Sequence, residues 1–356
     1  MNTKIKLTAI MMFLIALTLA ACGGGGSDNA APGNPSATYT VTYDANGGAG
    51  GVPIDGNHYL PGATVTVLGK GSMARAGYTF AGWNTQADGN GTNRAPTSTF
   101  TMGTADVIHY AKWTDTTTKK IMFIHHSCGS NWLATGNGNL GATLNANNYY
   151  VTESDYGWDA QPGDNLGDRT DTVNWPEWFT DAKMPYVYTN DYHSAYTNTI
   201  SNPGGENEII MFKSCYPNSE VGSSIDDEKA IYNSLKPYFA AHPDKLFILI
   251  TPPGEANVSS YLLTKELCNW LVNTQTGWLS GYTGNNVFVF DFYGVLSEVN
   301  SHHRWNGDSV EYVYAPSYDG TSPYHSGDDH PNATGNQKAT AEFISLLNYY
   351  YDLWKQ

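Results

Sequence analysis

The chain has 356 residues, with 33 Asp and Glu against 18 Lys and Arg, a formal net charge of −15. Such a surface repels nucleic acid and anionic lipid headgroups, so neither is an expected partner. The length suggests two domains, and the low charged fraction, 14%, with abundant Gly, Asn, Thr, Ser and Tyr, suits an exported, loop-rich protein.

Residues 1–21 read as an export signal. Lys4 and Lys6 give a positive start, and the apolar stretch from Thr8 to Ala21 is too short for a comfortable membrane span. It ends Leu19-Ala20-Ala21-Cys22, which resembles the lipobox of bacterial lipoproteins. That resemblance implies diacylation of Cys22 and an exported protein anchored in a membrane, facing the periplasm or the cell surface. Residues 22–38 carry four glycines directly after Cys22 and continue rich in Ser, Asn and Pro, the composition of a flexible tether. Cys128, Cys215 and Cys268 remain, without the Cys-x-x-Cys spacing of a zinc ribbon or thioredoxin motif.

Residues 39–114 carry short alternating strands. Tyr39-Thr-Val-Thr-Tyr43 has period two and runs into Asp44-Ala-Asn-Gly-Gly48, a turn signal. Val65–Val67, Tyr78–Phe80 and Tyr110–Trp113 continue the pattern. The stretches YTVTYDANGG, GYTFAGWNTQADGNGT and HYAKW resemble the Listeria–Bacteroides repeat, also called the internalin-type B repeat. The resemblance implies a small β-grasp-like module of bacterial surface proteins, a spacer or weak adhesin. Asp115–Thr118 reads as a linker.

From Lys119 to the end, 119–356, four buried-looking apolar runs alternate with helical stretches. The runs are Ile121–Ile124, Ile209–Phe212, Leu246–Ile250 and Val287–Phe290, and the helices are expected over 226–241, 259–271 and 336–355. Strand–helix alternation of this kind predicts an α/β sandwich on a parallel sheet, with its active site at the carboxyl ends of the strands. Those ends carry His125-His126-Ser127-Cys128-Gly129, then Lys213–Ser219, Thr251-Pro252-Pro253 and Asp291-Phe292-Tyr293. Gly327-Asp328-Asp329-His330-Pro331-Asn332 precedes the last helix. Acyl transfer needs a nucleophile, a base and oxyanion donors, and these blocks hold candidates for all three.

Here the chain resembles the SGNH (GDSL-like) hydrolase superfamily over roughly 119–350, most closely in HPNATGNQKAT. His-His-Ser stands where the family has Gly-Asp-Ser. The resemblance implies a three-layer sandwich in which Ser127 is the nucleophile and His330 the general base. Gly167 in LGDRTDT would offer a backbone N–H to the oxyanion, and Asn218 in KSCYPNS its side-chain amide. Gly327 occupies the family's aspartate position, so the acid is Asp328, with Asp329 as the alternative. Cys128 competes with Ser127 as nucleophile. It also sits at a strand end matching that of Cys215, and a disulfide between the two would close a loop of about 87 residues and brace the site.

His125 and His126 point to opposite faces if extended, and no metal-binding spacing is present, so neither a metal nor another cofactor is expected. The expected function is a serine esterase acting on a polysaccharide or other acylated carbohydrate. The alternatives are a non-catalytic adhesion protein with a degenerate SGNH-like domain, and a lipase or phospholipase.

Overall fold

The computed structural model describes residues 37–214, 224–254, 261–307, 309–313, 322–327 and 330–355. The expected signal, the lipidated Cys22, and Cys215, Asn218, Asp328 and Asp329 lie outside these residues.

The first unit contains β1 (Val41–Asp44), β2 (Thr64–Thr66), β3 (Tyr78–Asn84), β4 (Asn93–Arg94), β5 (Thr99–Thr101) and β6 (Val107–Asp115). Four strands pair in the order β1-β6-β3-β4, with β1 parallel and β3 antiparallel to β6, while β2 and β5 form a separate antiparallel pair. Alternation along β1 sends Val41 and Tyr43 inward and Thr42 and Asp44 out. The core they join holds Val65, Met73, Trp83 and Met102. The fully buried Trp83 donates its indole N–H to the Leu68 carbonyl at 2.8 Å. Asn46 and Gly47 take positive φ, 45° and 85°, so the Asp44–Gly48 turn reads correctly from sequence. The expected linker is pinned: Thr116 N donates to Gly77 O at 2.8 Å, and Lys119 pairs with Asp115 at 3.2 Å.

The second unit begins with β7 (Lys119–Ile124), α1 (Ser127–Leu133), α2 (Leu140–Ala146) and β8 (Tyr149–Ser154). The short helices α3 (Trp175–Trp178) and α4 (Met184–Tyr188) lead to β9 (Ile209–Phe212), α5 (Asp226–Ala241), β10 (Leu246–Ile250) and α6 (Tyr261–Val272). The chain closes with β11 (Val287–Phe290), α7 (Phe292–Ser297), the hairpin β12 (His302–Trp305) and β13 (Val310–Val313), and α8 (Ala333–Trp354). Strands β7 to β11 make one parallel sheet in the order β11-β10-β9-β7-β8.

Both faces of that sheet are covered, which is why its strands are continuous apolar runs. Ile121 and Phe123 face a core completed by Trp132, Leu144, Phe343 and Leu347, from α1, α2 and α8. Met122 and Ile124 face the opposite core, with Trp175, Val187, Tyr232, Phe239 and Leu267 from α3 to α6. The result is a three-layer α/β sandwich. Strand β8 is absent from the sequence expectation. Its Thr152, Glu153 and Ser154 are polar yet fully buried, so it lacks the apolar signature of the other four.

The connection from β7 goes to β8 on one side, and the chain then crosses to β9 on the other. This reversal puts the switch point of the sheet at the carboxyl ends of β7 and β9, the usual ligand position in such sheets.

Candidate active site

Ser127 opens α1 just beyond β7, at that switch point. His330 arrives from the other end of the chain. The loop carrying it is folded back on itself: Ser326 N and Oγ donate to the His330 carbonyl at 3.0 and 2.9 Å, and Asn332 N donates to Tyr324 O at 2.6 Å. Asn332 then caps α8 by accepting from Gly335 N at 2.9 Å. The outcome is a distance of 3.1 Å between His330 Nε2 and Ser127 Oγ, across 203 residues of sequence. Cys128 is the fully buried second residue of α1, packed inward, so of the two rivals the serine is the one that meets His330.

The two preceding histidines have separate tasks. His125 is fully buried, with Nε2 2.8 Å from Glu153 Oε2 and Nδ1 3.1 Å from the His126 carbonyl. Both ring nitrogens therefore face oxygen acceptors. Glu153 also accepts from Ser194 N and, at 2.6 Å, from Ala195 N. Burial works against its negative charge, but these three donors together outweigh burial and hold its pKa below the ordinary 4.5: the His125 ring by hydrogen bond and charge, and the two amides. Gly129 is required beside this pair, since a Cβ there would overlap the His125 ring.

His126 points elsewhere. Its Nε2 donates to the Gly167 carbonyl at 2.6 Å, which places the proton on that nitrogen, and its ring stacks on Tyr156 with centroids 4.1 Å apart. The Gly167 segment is thus tied to the turn that carries Ser127. The expected use of Gly167 as an oxyanion donor is corrected by its own hydrogen bond: Gly167 N donates to Trp158 O at 2.7 Å. Its lack of a side chain has another cause, because a Cβ would collide with the Asp155 carbonyl and with Trp158. Nearby, Ser130 Oγ on α1 donates to Asp155 Oδ2 at 2.7 Å.

Of the remaining expected residues, Asn218, Asp328 and Asp329 lie outside the described residues, as does Cys215 of the expected disulfide. At the end of β9, Lys213 is fully buried and donates to the Ser214 carbonyl at 3.2 Å.

A second buried polar group lies at the end of β11. Asp291 accepts from Gly294 N at 2.9 Å, Tyr312 Oη at 2.7 Å and Thr251 Oγ1 at 3.2 Å. Burial nevertheless raises its pKa above 3.8. Asp291 N donates to His303 Nδ1 at 2.9 Å, so His303 is held as a neutral acceptor, and burial pushes its pKa down to about 4. Glu342 on α8 accepts from His303 N and bonds His302 Nδ1, both at 2.7 Å. These contacts account for the two histidines as braces between the β12–β13 hairpin and α8.

Glu153 and Tyr156 went unread in the sequence. The available signal was a carboxylate within a β-rich stretch, Tyr149–Ser154, a placement tolerated only with a partner.

Among solved structures, the chain resembles a provisionally assigned acylhydrolase from Bacteroides fragilis, at 12% identity over 65% of this chain and 87% of that one, TM-score 0.36. It also resembles a member of the lipolytic G-D-S-L family from Veillonella parvula, at 14% identity over 65% and 99%, TM-score 0.33. A salicylyl-acyltransferase from a tetracycline biosynthetic pathway matches at 13% identity over 67% and 57%, TM-score 0.32. Two curated relatives come from Evansella cellulosilytica. One, provisionally named a membrane protein, is 38% identical over 82 residues; the other, provisionally named a Gly-rich membrane protein, is 42% identical over 80. These matches take 23% and 21% of this chain and span only 12% and 9% of the relatives' own length. No helix among the described residues is long and apolar enough to cross a membrane. The family model that matches is that of the Listeria–Bacteroides repeat domain, and it covers residues 39–112.

Proposed function

We propose that the chain is an exported serine esterase that removes acyl groups, acetyl foremost, from a polysaccharide or other carbohydrate ester. The observation that carries this is the 3.1 Å approach of Ser127 Oγ to His330 Nε2 at the carboxyl edge of the sheet. A serine hydroxyl is a weak nucleophile until a base within hydrogen-bond reach accepts its proton. His330 takes that proton as Ser127 Oγ attacks the ester carbonyl, then returns it to the leaving sugar hydroxyl. The same imidazole activates water to release the acyl group from Ser127. Asp328, or Asp329 in its place, is assigned to hold the far nitrogen of His330, and Asn218 to donate to the oxyanion. Cys22 is assigned as the lipidated anchor, with the repeat as spacer between membrane and catalytic unit.

Ser127→Ala is expected to abolish hydrolysis of acetylated xylan and of ethyl acetate, with unchanged thermal stability. Turnover surviving in a folded Ser127→Ala protein would overturn the assignment.

A further inference from the structure

We infer that Tyr156 is a stacking platform for a sugar ring of the acylated glycan, which makes it the residue that sets specificity at this site; the inference rests on the esterase reading. The Tyr156 side chain is 57% exposed, yet its surroundings pin it. One face lies on His126, with centroids 4.1 Å apart and planes 20° from parallel. His126 is itself fixed by its bond to the Gly167 carbonyl. Before it in sequence, Asp155 accepts from Ser130 Oγ at 2.7 Å. After it, Gly157 takes φ +77° and donates to Asp168 Oδ1 at 2.8 Å, and Trp158 N closes the turn onto the Asp155 carbonyl at 3.0 Å.

A single exposed aromatic on a surface needs no explanation. Tyr156 is held in one orientation by the His126 stack and by the turn around it. Its position is also informative, since the ring it lies on belongs to the residue immediately before the nucleophile. The outward face is flat, apolar and electron-rich, matching the C–H face of a pyranose. Residues 155–168 around it carry Asp155, Asp159, Asp164, Asp168 and Asn165, and no Lys or Arg. Carboxylates and amides of this kind accept hydrogen bonds from hydroxyls and repel phosphate. Asp164 is paired with Lys183 at 2.7 Å and the neighbouring Arg169 with Glu177 at 2.9 Å, so Asp155, Asp159 and Asp168 keep the ledge negative. A neutral glycan fits this chemistry, and a phospholipid headgroup does not.

The test compares Tyr156→Ala, Tyr156→Phe and wild type on an acetylated xylo-oligosaccharide and on ethyl acetate, both followed by pH-stat titration. Loss of one aromatic stack is expected to raise KM for the oligosaccharide by about tenfold more than for ethyl acetate. Tyr156→Phe should restore it, with kcat on the oligosaccharide changing less than KM. Calorimetric titration of the same oligosaccharide into Ser127→Ala protein, with and without Tyr156→Ala, reads binding apart from chemistry. Equal losses on both esters would show that Tyr156 acts only through His126, and an unchanged oligosaccharide KM would show that no ring stacks there; either overturns the inference. Tyr156-dependent binding in a protein that hydrolyses no ester would sink the esterase reading and leave the platform standing.

Discussion

Glu153→Ala is expected to destabilise the α/β unit by about 5 kcal/mol, most of its stability if that lies near the usual lower range. The magnitude comes from what the carboxylate holds. It is fully buried and accepts from His125 Nε2, Ser194 N and Ala195 N. Removing one partner of a buried charged pair costs about 3–5 kcal/mol. Two backbone N–H groups lose their acceptor as well, at about 1–3 kcal/mol each where water cannot reach them. These contributions overlap, so their sum is an upper bound. Glu153→Gln retains an oxygen for the two amides and loses the charge, so it should cost about half as much. Urea denaturation of the full chain measures both, with tryptophan fluorescence as the probe, since Trp132, Trp158, Trp175, Trp178 and Trp278 are buried in this unit. Acidity supplies a second check. The folded-state pKa of Glu153 lies below 4.5, so its contribution is fully present above 4.5 and is lost as pH falls through the lowered value. The gap between wild type and Glu153→Gln should hold steady from neutral pH to about 5 and shrink below that. A Glu153→Ala loss under about 1 kcal/mol would refute the proposition that this carboxylate holds the turn before Ser127.

Two further outcomes follow from the same geometry. His303 resists protonation down to about 4 while the unfolded imidazole charges near 6.5, so the unfolded state binds the extra proton between those values. Stability should therefore fall by about 3 kcal/mol on acidification through that window, and His303→Gln, whose amide oxygen can take the same Asp291 N–H, should flatten the slope above about pH 5; an unaltered slope would contradict the neutral, accepting ring. Asn332→Ala removes the cap of α8 and should cost about 1 kcal/mol by thermal denaturation, with a fall in kcat because His330 lies two residues upstream; unchanged kcat in the uncapped protein would show that the loop holds His330 unaided.

The parts of the fold legible in the sequence were those where one physical signal dominates. Ile121–Ile124, Ile209–Phe212, Leu246–Ile250 and Val287–Phe290 are buried on both sides, and each is a strand of the parallel sheet. The helix expected over 226–241 has those bounds, and the one expected over 336–355 starts three residues earlier, where Asn332 supplies its cap. Strand β8 escaped because its polar side chains find partners supplied by distant segments: Thr152 Oγ1 bonds Asn207 Oδ1 at 2.8 Å, and Glu153 is held by His125 and by residues 194 and 195. Local pattern carries no trace of such partners. Gly167 was misread for a related reason. A glycine in a loop signals an unusual constraint without saying which, and here it is the Asp155 carbonyl and Trp158 pressed against its α-carbon.

In the repeat, β1 and β6 are parallel neighbours, paired from Val41↔Val107 to Asp44↔Tyr110. The chain enters through the start of β1 and leaves through the end of β6, at opposite poles. Tension applied between the chain ahead of β1 and the α/β unit would load the hydrogen bonds of this pair together, in shear. Unzipping, in which bonds fail one after another, would need the two pulled ends at the same pole. Pulled at those two ends, the repeat would act as a mechanically resistant strut rather than a hinge that peels open.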